Sequence, residues 1–180
     1  MSTKSVCRRP PTITALIERG VVNALEGKVL AHMRASIFDE ERLHRALFGI
    51  PRGTLIASPW QAAAVFGPLL LGRGTEALAV ALLGQSGMLL DVQILTTGAK
   101  ASTVFDIPQI LRAALMHAEC ASIIVAHNHP SGNVQPSNAD IDCTVRLSRA
   151  VVIVGLNLHD SLVVTDGGGY TSLKSMGFIP

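Results

Sequence analysis

The chain has 180 residues, of which 48% are hydrophobic, 16% are charged and 4% are aromatic, and its formal net charge is +2. This length fits one domain with a well-buried core plus an appendage. The small charge gives no electrostatic support for a dedicated nucleic-acid binder, because such proteins usually carry a strong basic excess. The high apolar fraction predicts a generous core or an apolar surface that meets a partner, and self-association is one such case.

The sequence predicts a cytoplasmic protein without a membrane segment. Residues 55–72 carry no charge and are nominally long enough to span a bilayer, but two prolines interrupt them, so we interpret them as a buried helix plus linker. The chain starts with basic residues, and Glu18 and Arg19 break the apolar positions that follow, which argues against a signal peptide. Three widely spaced cysteines form no Cys-x-x-Cys pair, so no disulfide framework is expected, and Cys120 and Cys143 are interpreted as small buried hydrophobic side chains.

Residues 1–57 are predicted to form a helical N-terminal segment. Amphipathic patterns indicate one or two helices over 12–33 and another over 39–48, whose acidic first turn suits the helix dipole. Basic side chains concentrate in the first third of the chain. Ser58 is a clear helix start, because proline follows at the first helical position and glutamine completes a capping box. We therefore predict a second domain over 58–180.

After Arg73 the pattern changes to strands that alternate with helices. The predicted strands, in chain order, are 77–83, 88–96, 121–126, 156–165 and 170–173. The predicted helices between them are 107–118 and 137–155. The first two strands are predicted to form a hairpin around a glycine-containing turn, and the third is continuously apolar, as expected of a strand buried on both faces. The prediction is an α/β domain with a mixed sheet and at least two flanking helices.

Two histidines follow the third predicted strand at alternate positions. His127 and His129 are expected to point the same way, since alternate residues of an extended strand do so and Pro130 biases the residue before it towards extended geometry. Both imidazoles then face one point at the carboxyl end of the strand, where ligands collect in open α/β sheets. Neutral imidazole is a common zinc ligand. Two solvent-exposed loop histidines remain the alternative at this point.

Ser137 and Asp140 form a Ser-x-x-Asp sequence that is typical of a helix N-terminus, with the serine as cap. A structural role and a ligand role are compatible, because a cap fixes the first helical turn and a carboxylate on that turn can reach a metal held by the preceding strand. His127, His129 and Asp140 would leave one tetrahedral position open for water, as in catalytic zinc sites. The Ser137 hydroxyl is then a candidate donor to an oxyanion.

Hydrolysis at such a site also needs a general base near the water. The nearest carboxylates in the α/β half of the sequence are Asp91, Asp106, Glu119 and Glu76. Glu76 is favoured because it stands at the head of the first predicted strand, exposed enough to reach a cleft. The alternative is an ordinary polar residue that flanks a strand.

Taken together, the histidine pair and the Ser-x-x-Asp sequence resemble the motif of a known family. His127-x-His129 is followed, after seven residues, by Ser137-x-x-Asp140. This spacing is similar to that of the metal motif in the JAMM/MPN-domain metallopeptidases. The sequence of residues 126–132 resembles the RadC-like branch of that family. The resemblance extends over the whole second predicted domain.

The resemblance implies a cytidine-deaminase-like MPN (JAB) domain, which is an α/β fold with a mixed sheet flanked by helices. It also implies one Zn²⁺ per chain and hydrolysis of an amide or isopeptide bond in a peptide or protein substrate. The positions that match the family's functional residues are His127, His129 and Asp140 as zinc ligands, Glu76 as the catalytic glutamate and Ser137 as the serine that stabilises the oxyanion.

This chain departs from the family's pattern at three places. Residues 105–109 are less charged than usual, and Ser161 stands where RadC-like chains tend to have histidine, so a cleft wall or a substrate contact is altered. Residues 49–53 are a poor version of the usual helix-hairpin-helix, so DNA binding is not carried over. Two alternatives stay open: a RadC-type DNA-repair-associated accessory protein without peptidase activity, and an interaction module whose catalysis is unused.

Overall fold

The computed structural model describes residues 52–97 and 105–180. The helices in these ranges are α1 (Pro59–Leu70), α2 (Ile107–Leu115) and α3 (Asn138–Ile153). The strands are β1 (Ala77–Leu83), β2 (Leu89–Thr97), β3 (Ser122–Asn128), β4 (Asn157–Val164) and β5 (Tyr170–Ser172). The helices predicted over 12–33 and 39–48 lie outside the described residues, and the division of the chain after residue 57 stays a prediction.

The five strands form one mixed sheet in the order β2-β1-β3-β4-β5. β1 pairs antiparallel with both β2 and β3, β3 pairs parallel with β4, and β4 pairs antiparallel with β5. A parallel pair requires a crossover connection, and α3 supplies it between β3 and β4. The predicted α/β class with a mixed sheet and flanking helices is therefore confirmed.

The uncharged stretch 55–72 forms a short buried helix rather than a membrane span. The Ser58 hydroxyl accepts a hydrogen bond from the Gln61 amide at 3.3 Å, so the predicted serine cap is present. The Gln61 side chain accepts from the Ala57 amide at 2.8 Å, one residue before the cap, so Gln61 supports the helix start without the Ser58 amide contact of a capping box. Six of the twelve residues of α1 are buried. Among the described residues, no helix is long and apolar enough to cross a membrane.

The two faces of the sheet are covered by different helices. β1 is buried along all seven residues, because each of its faces packs against a helical layer. α1 covers one face, where the buried residues include Val65, Phe66, Leu70, Ala79, Ala81, Ile124, Ala126 and Leu162. α2 and α3 cover the other, where they include Leu78, Val80, Leu82, Ile110, Ala114, Ile123, Val125, Leu147 and Val151.

Two expectations differ in detail from the structure. The helix predicted over 107–118 ends at Leu115, because the Cys120 amide donates to the His117 carbonyl in a turn that leads directly into β3. Cys120 and Cys143 are free, as expected, but they are only partly buried rather than enclosed in the core. Burial still raises the pKa of both thiols.

Candidate metal centre

The two histidines lie at the carboxyl end of β3, the central strand of the sheet. His127 pairs with Leu78 of β1 and with Val163 of β4, and its side chain is 1% exposed. The chain stays extended beyond the strand, since the His129 amide donates to the Val164 carbonyl at 3.0 Å. The two Nε2 atoms lie 3.1 Å apart, so both imidazoles converge on one point, as predicted.

The loop that follows β3 fixes the tautomer of His129. Its Nδ1 lies 2.8 Å from the Asn133 carbonyl oxygen. A carbonyl can only accept a hydrogen bond, so Nδ1 carries the proton and Nε2 keeps a free lone pair. Such a bond from the second ring nitrogen is the usual way in which proteins orient a metal-ligating histidine.

Among the described residues, His127 lacks the Nδ1 hydrogen bond that orients His129, and its ring packs against Phe105 instead. The edge of the Phe105 ring meets its imidazole with centroids 5.6 Å apart and planes at 76°. Within the described part of the chain, the buried His127 Nδ1 has no hydrogen-bond partner. Its Nε2 therefore makes the polar contacts of this side chain, and they all lead towards His129 and Asp140.

The first turn of α3 presents Asp140 to the histidines. Ser137 caps the helix, because its hydroxyl accepts from the Asp140 amide at 3.2 Å. In return the Asp140 Oδ2 accepts from the Ser137 amide at 2.8 Å and from its hydroxyl at 2.7 Å, which completes a capping box. The predicted cap and the predicted ligand are thus one structural unit.

The same contacts determine the charge of Asp140. Partial burial opposes ionisation of its carboxyl group, but hydrogen bonds from His127 and Ser137 and the charge of the imidazole act in the opposite direction. Together they hold the pKa of Asp140 well below its usual range. The group is therefore a carboxylate at neutral pH, which is the form that binds metals.

The three side chains can hold a metal ion. His127 Nε2 lies 3.4 Å from Asp140 Oδ1, and His129 Nε2 lies 3.6 Å from Asp140 Oδ2. The three ligand atoms lie within 4.8 Å of one another. An ion bound tetrahedrally at about 2.0–2.1 Å places its ligand atoms about 3.3 Å apart. The separations here are close to that value, with each histidine facing a different oxygen of Asp140.

Glu76 is half-buried and immediately precedes β1. In the antiparallel register of β1 and β3, Leu78 lies opposite His127. If the chain keeps that register for two more residues, Glu76 lies opposite His129, on the sheet face that carries both histidines. Its role as general base stays a prediction.

The other carboxylates considered from the sequence do not share this position. Asp91 lies opposite Leu82, at the far end of β1 from the histidines. Asp106 caps α2, where its side chain accepts from the Gln109 amide at 3.1 Å. Glu119 is exposed and precedes the start of β3, whereas the histidines follow its end.

Ser137 is exposed beside the candidate metal ligands, and its role as oxyanion donor also stays a prediction. Ser161, the departure from the family's pattern, is buried and shares a hydrogen bond of 2.9 Å with Thr144 of α3. This pair joins β4 to the helix and includes none of the three candidate metal ligands.

Sequence reasoning missed Asn128, which stands between the two histidines. Its side chain is 1% exposed and makes hydrogen bonds to backbone groups of residues 73, 75 and 77. A buried asparagine at the end of an apolar strand is a signal that could have been noticed, because such a group needs partners. The identity of those partners, some fifty positions earlier in the chain, has no sequence signature.

Comparison with known proteins identifies the family. The sequence model of the RadC-like JAB domain matches residues 56–178, which is more than half of the chain. The chain therefore belongs to the RadC-like JAB domain family, as the resemblance of its motifs indicated.

Several curated relatives share this region. A UPF0758 protein of Porphyromonas gingivalis is 36% identical over 130 residues, which are 72% of this chain and 57% of that protein. UPF0758 protein tlr1707 of Thermosynechococcus vestitus is 37% identical over 123 residues, which are 68% of this chain and 48% of that protein. A UPF0758 protein of Methanosarcina mazei is 28% identical over 153 residues, or 85% of this chain. The chain thus spans only about half of the length of the first two relatives.

Proposed function

We propose that this domain is a zinc-dependent hydrolase of the JAMM type that cleaves an amide or isopeptide bond in a peptide or protein. One observation carries the proposal: two imidazole Nε2 atoms and an ionised carboxylate lie 3.1, 3.4 and 3.6 Å apart at the carboxyl end of β3. Nitrogen and oxygen ligands at this spacing suit zinc, and three protein ligands leave a fourth position for water. Membership of the RadC-like JAB family supports the same reading.

The division of labour among the residues follows from their chemistry. Zinc bound by His127, His129 and Asp140 would lower the pKa of a water molecule to about 7 and polarise the substrate carbonyl. Glu76 would accept the proton that this water loses and deliver it to the leaving amine as the C–N bond breaks. The base and the metal ligands must therefore share one side of the sheet, and the β1–β3 register supports that placement.

Ser137 would donate its hydroxyl proton to the developing oxyanion. In the structure that proton is directed to the Asp140 Oδ2, which also accepts from the Ser137 amide at 2.8 Å. The hydrogen bond from the Ser137 backbone amide can hold the Asp140 carboxylate in place while the Ser137 hydroxyl turns towards substrate. Removal of the hydroxyl should therefore affect catalysis more than the retention of metal.

The test uses the full chain loaded with zinc, whose metal content is measured by mass spectrometry. Its substrates are peptides capped with a fluorogenic aminocoumarin and a dipeptide linked through a lysine ε-amide. We expect one zinc per chain, hydrolysis of at least one probe, and a fall of about 10²- to 10⁴-fold in Glu76→Gln. Glu119→Gln is the matched control, since Glu119 is exposed at the other end of β3. Absence of stoichiometric zinc, or unchanged hydrolysis in Glu76→Gln, would contradict the proposal.

A second candidate is a RadC-type accessory protein associated with DNA repair, without peptidase activity. The basic side chains concentrated in the first third of the sequence favour it. Binding of the full chain to single-stranded and duplex DNA, measured over a range of salt concentrations, tests this candidate. Undetectable affinity at low salt excludes it.

Two further proposals concern the protein's context: a cytoplasmic location and self-association through apolar surface. The three widely spaced cysteines support the cytoplasmic location, and the hydrophobic fraction of 48% supports self-association. Light scattering of the purified chain tests self-association, and a strictly monomeric mass would contradict it.

A further inference from the structure

The middle residue of the His-Asn-His sequence makes a set of contacts that the metal site does not use. Asn128 ends β3 and is buried, and strand alternation turns its side chain away from the face of its two histidine neighbours. Its Oδ1 accepts from the Ala77 amide at 2.7 Å. Its Nδ2 donates to the Thr75 carbonyl at 3.1 Å and to the Arg73 carbonyl at 3.4 Å.

These contacts involve the backbone groups on either side of Glu76. The Thr75 carbonyl belongs to the peptide group before Glu76, and the Ala77 amide belongs to the peptide group after it. One planar side chain therefore holds both peptide groups that flank the Glu76 Cα. Because the orientation of these groups sets the backbone dihedrals of Glu76, it also sets the direction in which the carboxylate leaves the chain.

Asparagine is suited to this task by its donor and acceptor pattern. It offers one acceptor oxygen and two N–H donors in one plane, whereas aspartate has no donor when ionised and leucine has neither. All three of these groups are engaged here. A buried amide without partners would be costly, so the Asn128 side chain favours the conformation in which the segment before β1 closes on it.

The same segment is anchored at its other end. The Asp166 Oδ1, in the turn between β4 and β5, accepts from the Gly72 amide at 2.8 Å. The segment between α1 and β1 is thus anchored near its start by Asp166 and towards its end by Asn128. Asp166 is exposed, so this second anchor can be removed without opening the core.

We infer that Asn128 is a positioning residue that holds Glu76 against the metal centre. The His-Asn-His sequence then performs two tasks with one strand end: the outer side chains bind the metal on one face, and the middle side chain fixes the base through its backbone. The inference rests on the proposed function of Glu76. Its first test, however, needs neither metal nor substrate.

The first test is hydrogen exchange of the Ala77 amide, followed by NMR in the full chain. In Asn128→Ala this amide loses its acceptor, and we expect its exchange to accelerate roughly tenfold or more. The amides of residues 79–81, inside β1, should remain protected. Asn157→Ala is the matched control, since Asn157 is exposed at the opposite end of the sheet in β4. Unchanged exchange at Ala77 would overturn the inference.

The second test is a double-mutant cycle on the zinc-loaded chain with the fluorogenic probes. Asn128→Ala should lower kcat about 10- to 100-fold, with KM and zinc content unchanged. In a Glu76→Gln background the same substitution should change the residual rate by less than about twofold, because Asn128 acts through Glu76. A full additional loss in that background, or loss of zinc, would show a merely structural role.

Asp166→Ala is a second variant that still tests the inference if Asn128→Ala fails to fold. It should lower kcat by a smaller factor and show the same dependence on Glu76. If the wild-type chain binds zinc but hydrolyses no probe, the proposed function fails, and the exchange of Ala77 alone decides whether Asn128 holds this segment.

Discussion

Asp160 is buried and Asp140 is partly buried, and the surroundings of the two carboxylates differ in kind. Asp160 is 3% exposed, and its two oxygens accept from the Ser161 amide at 2.7 Å, the Lys174 amide at 3.2 Å and the Ser172 hydroxyl at 2.7 Å. Asp140 receives its close hydrogen bonds on Oδ2 from one residue, while Oδ1 faces an imidazole at 3.4 Å. A carboxylate enclosed by neutral donors ties segments together, whereas one held on a single side remains available to a ligand.

The sharpest way to break this comparison is to remove each carboxylate in turn. Asp140→Ala should lower zinc affinity by more than about 100-fold, because it removes a ligand and not only a supporting contact. Competition with a chelating dye measures this affinity. Asp142→Ala, an exposed carboxylate on the same helix, is the control. Retention of wild-type affinity in Asp140→Ala would mean that the donor set does not bind zinc.

Asp160→Ala should give the opposite result. It leaves two amides and a hydroxyl without their acceptor in a buried setting, so we expect a loss of about 2–3 kcal/mol in the free energy of unfolding. Zinc affinity of the folded protein should change little. Denaturant unfolding and the same dye competition measure the two quantities. A variant with normal stability but weakened zinc binding would reverse the roles assigned to the two aspartates.

A contact outside the ligands sharpens the comparison further. A Cβ on Gly169 would lie 2.8 Å from Val134 Cγ1, and Val134 follows Asn133, whose carbonyl orients His129. Gly169→Ala should therefore displace this loop and weaken zinc binding by about tenfold. Gly167→Ala is the control in the same turn, because a Cβ there meets nothing within 4 Å. Equal zinc affinities for the two variants would show that the loop does not support His129.

Much of the centre could be predicted from the sequence because its parts are local. Alternation in an extended strand aligned His127 with His129, and a cap motif placed Asp140 on the first turn of the next helix. Glu76 was predicted as the general base from its position at the start of the first strand, and the family resemblance supported that prediction. The strand alternation and the helix cap each involve only a few neighbouring residues, so a single sequence is enough to recognise them.

The supporting contacts could not be predicted in the same way. Asn128 bonds to a segment some fifty positions earlier, and Val134 meets a turn more than thirty positions later. Neither contact has a periodic signature, since each depends on which strands become neighbours in the sheet. The sequence therefore indicated which side chains do chemistry better than it indicated which ones hold them in place.

The smallest expected effect concerns the buried pair of Thr144 and Ser161. Replacing either hydroxyl alone, in Thr144→Val or Ser161→Ala, leaves the other without its partner and should cost about 1 kcal/mol of unfolding free energy. The double variant should cost less than the sum, because both polar groups are then gone from the apolar space between β4 and α3. Denaturant unfolding of the four proteins measures this coupling. Zinc affinity should stay constant throughout, because the hydrogen bond of this pair joins the sheet to the helix and involves none of the three proposed ligands. A fall in zinc affinity in Ser161→Ala would instead make this pair a support for Asp140, which lies about one helical turn before Thr144.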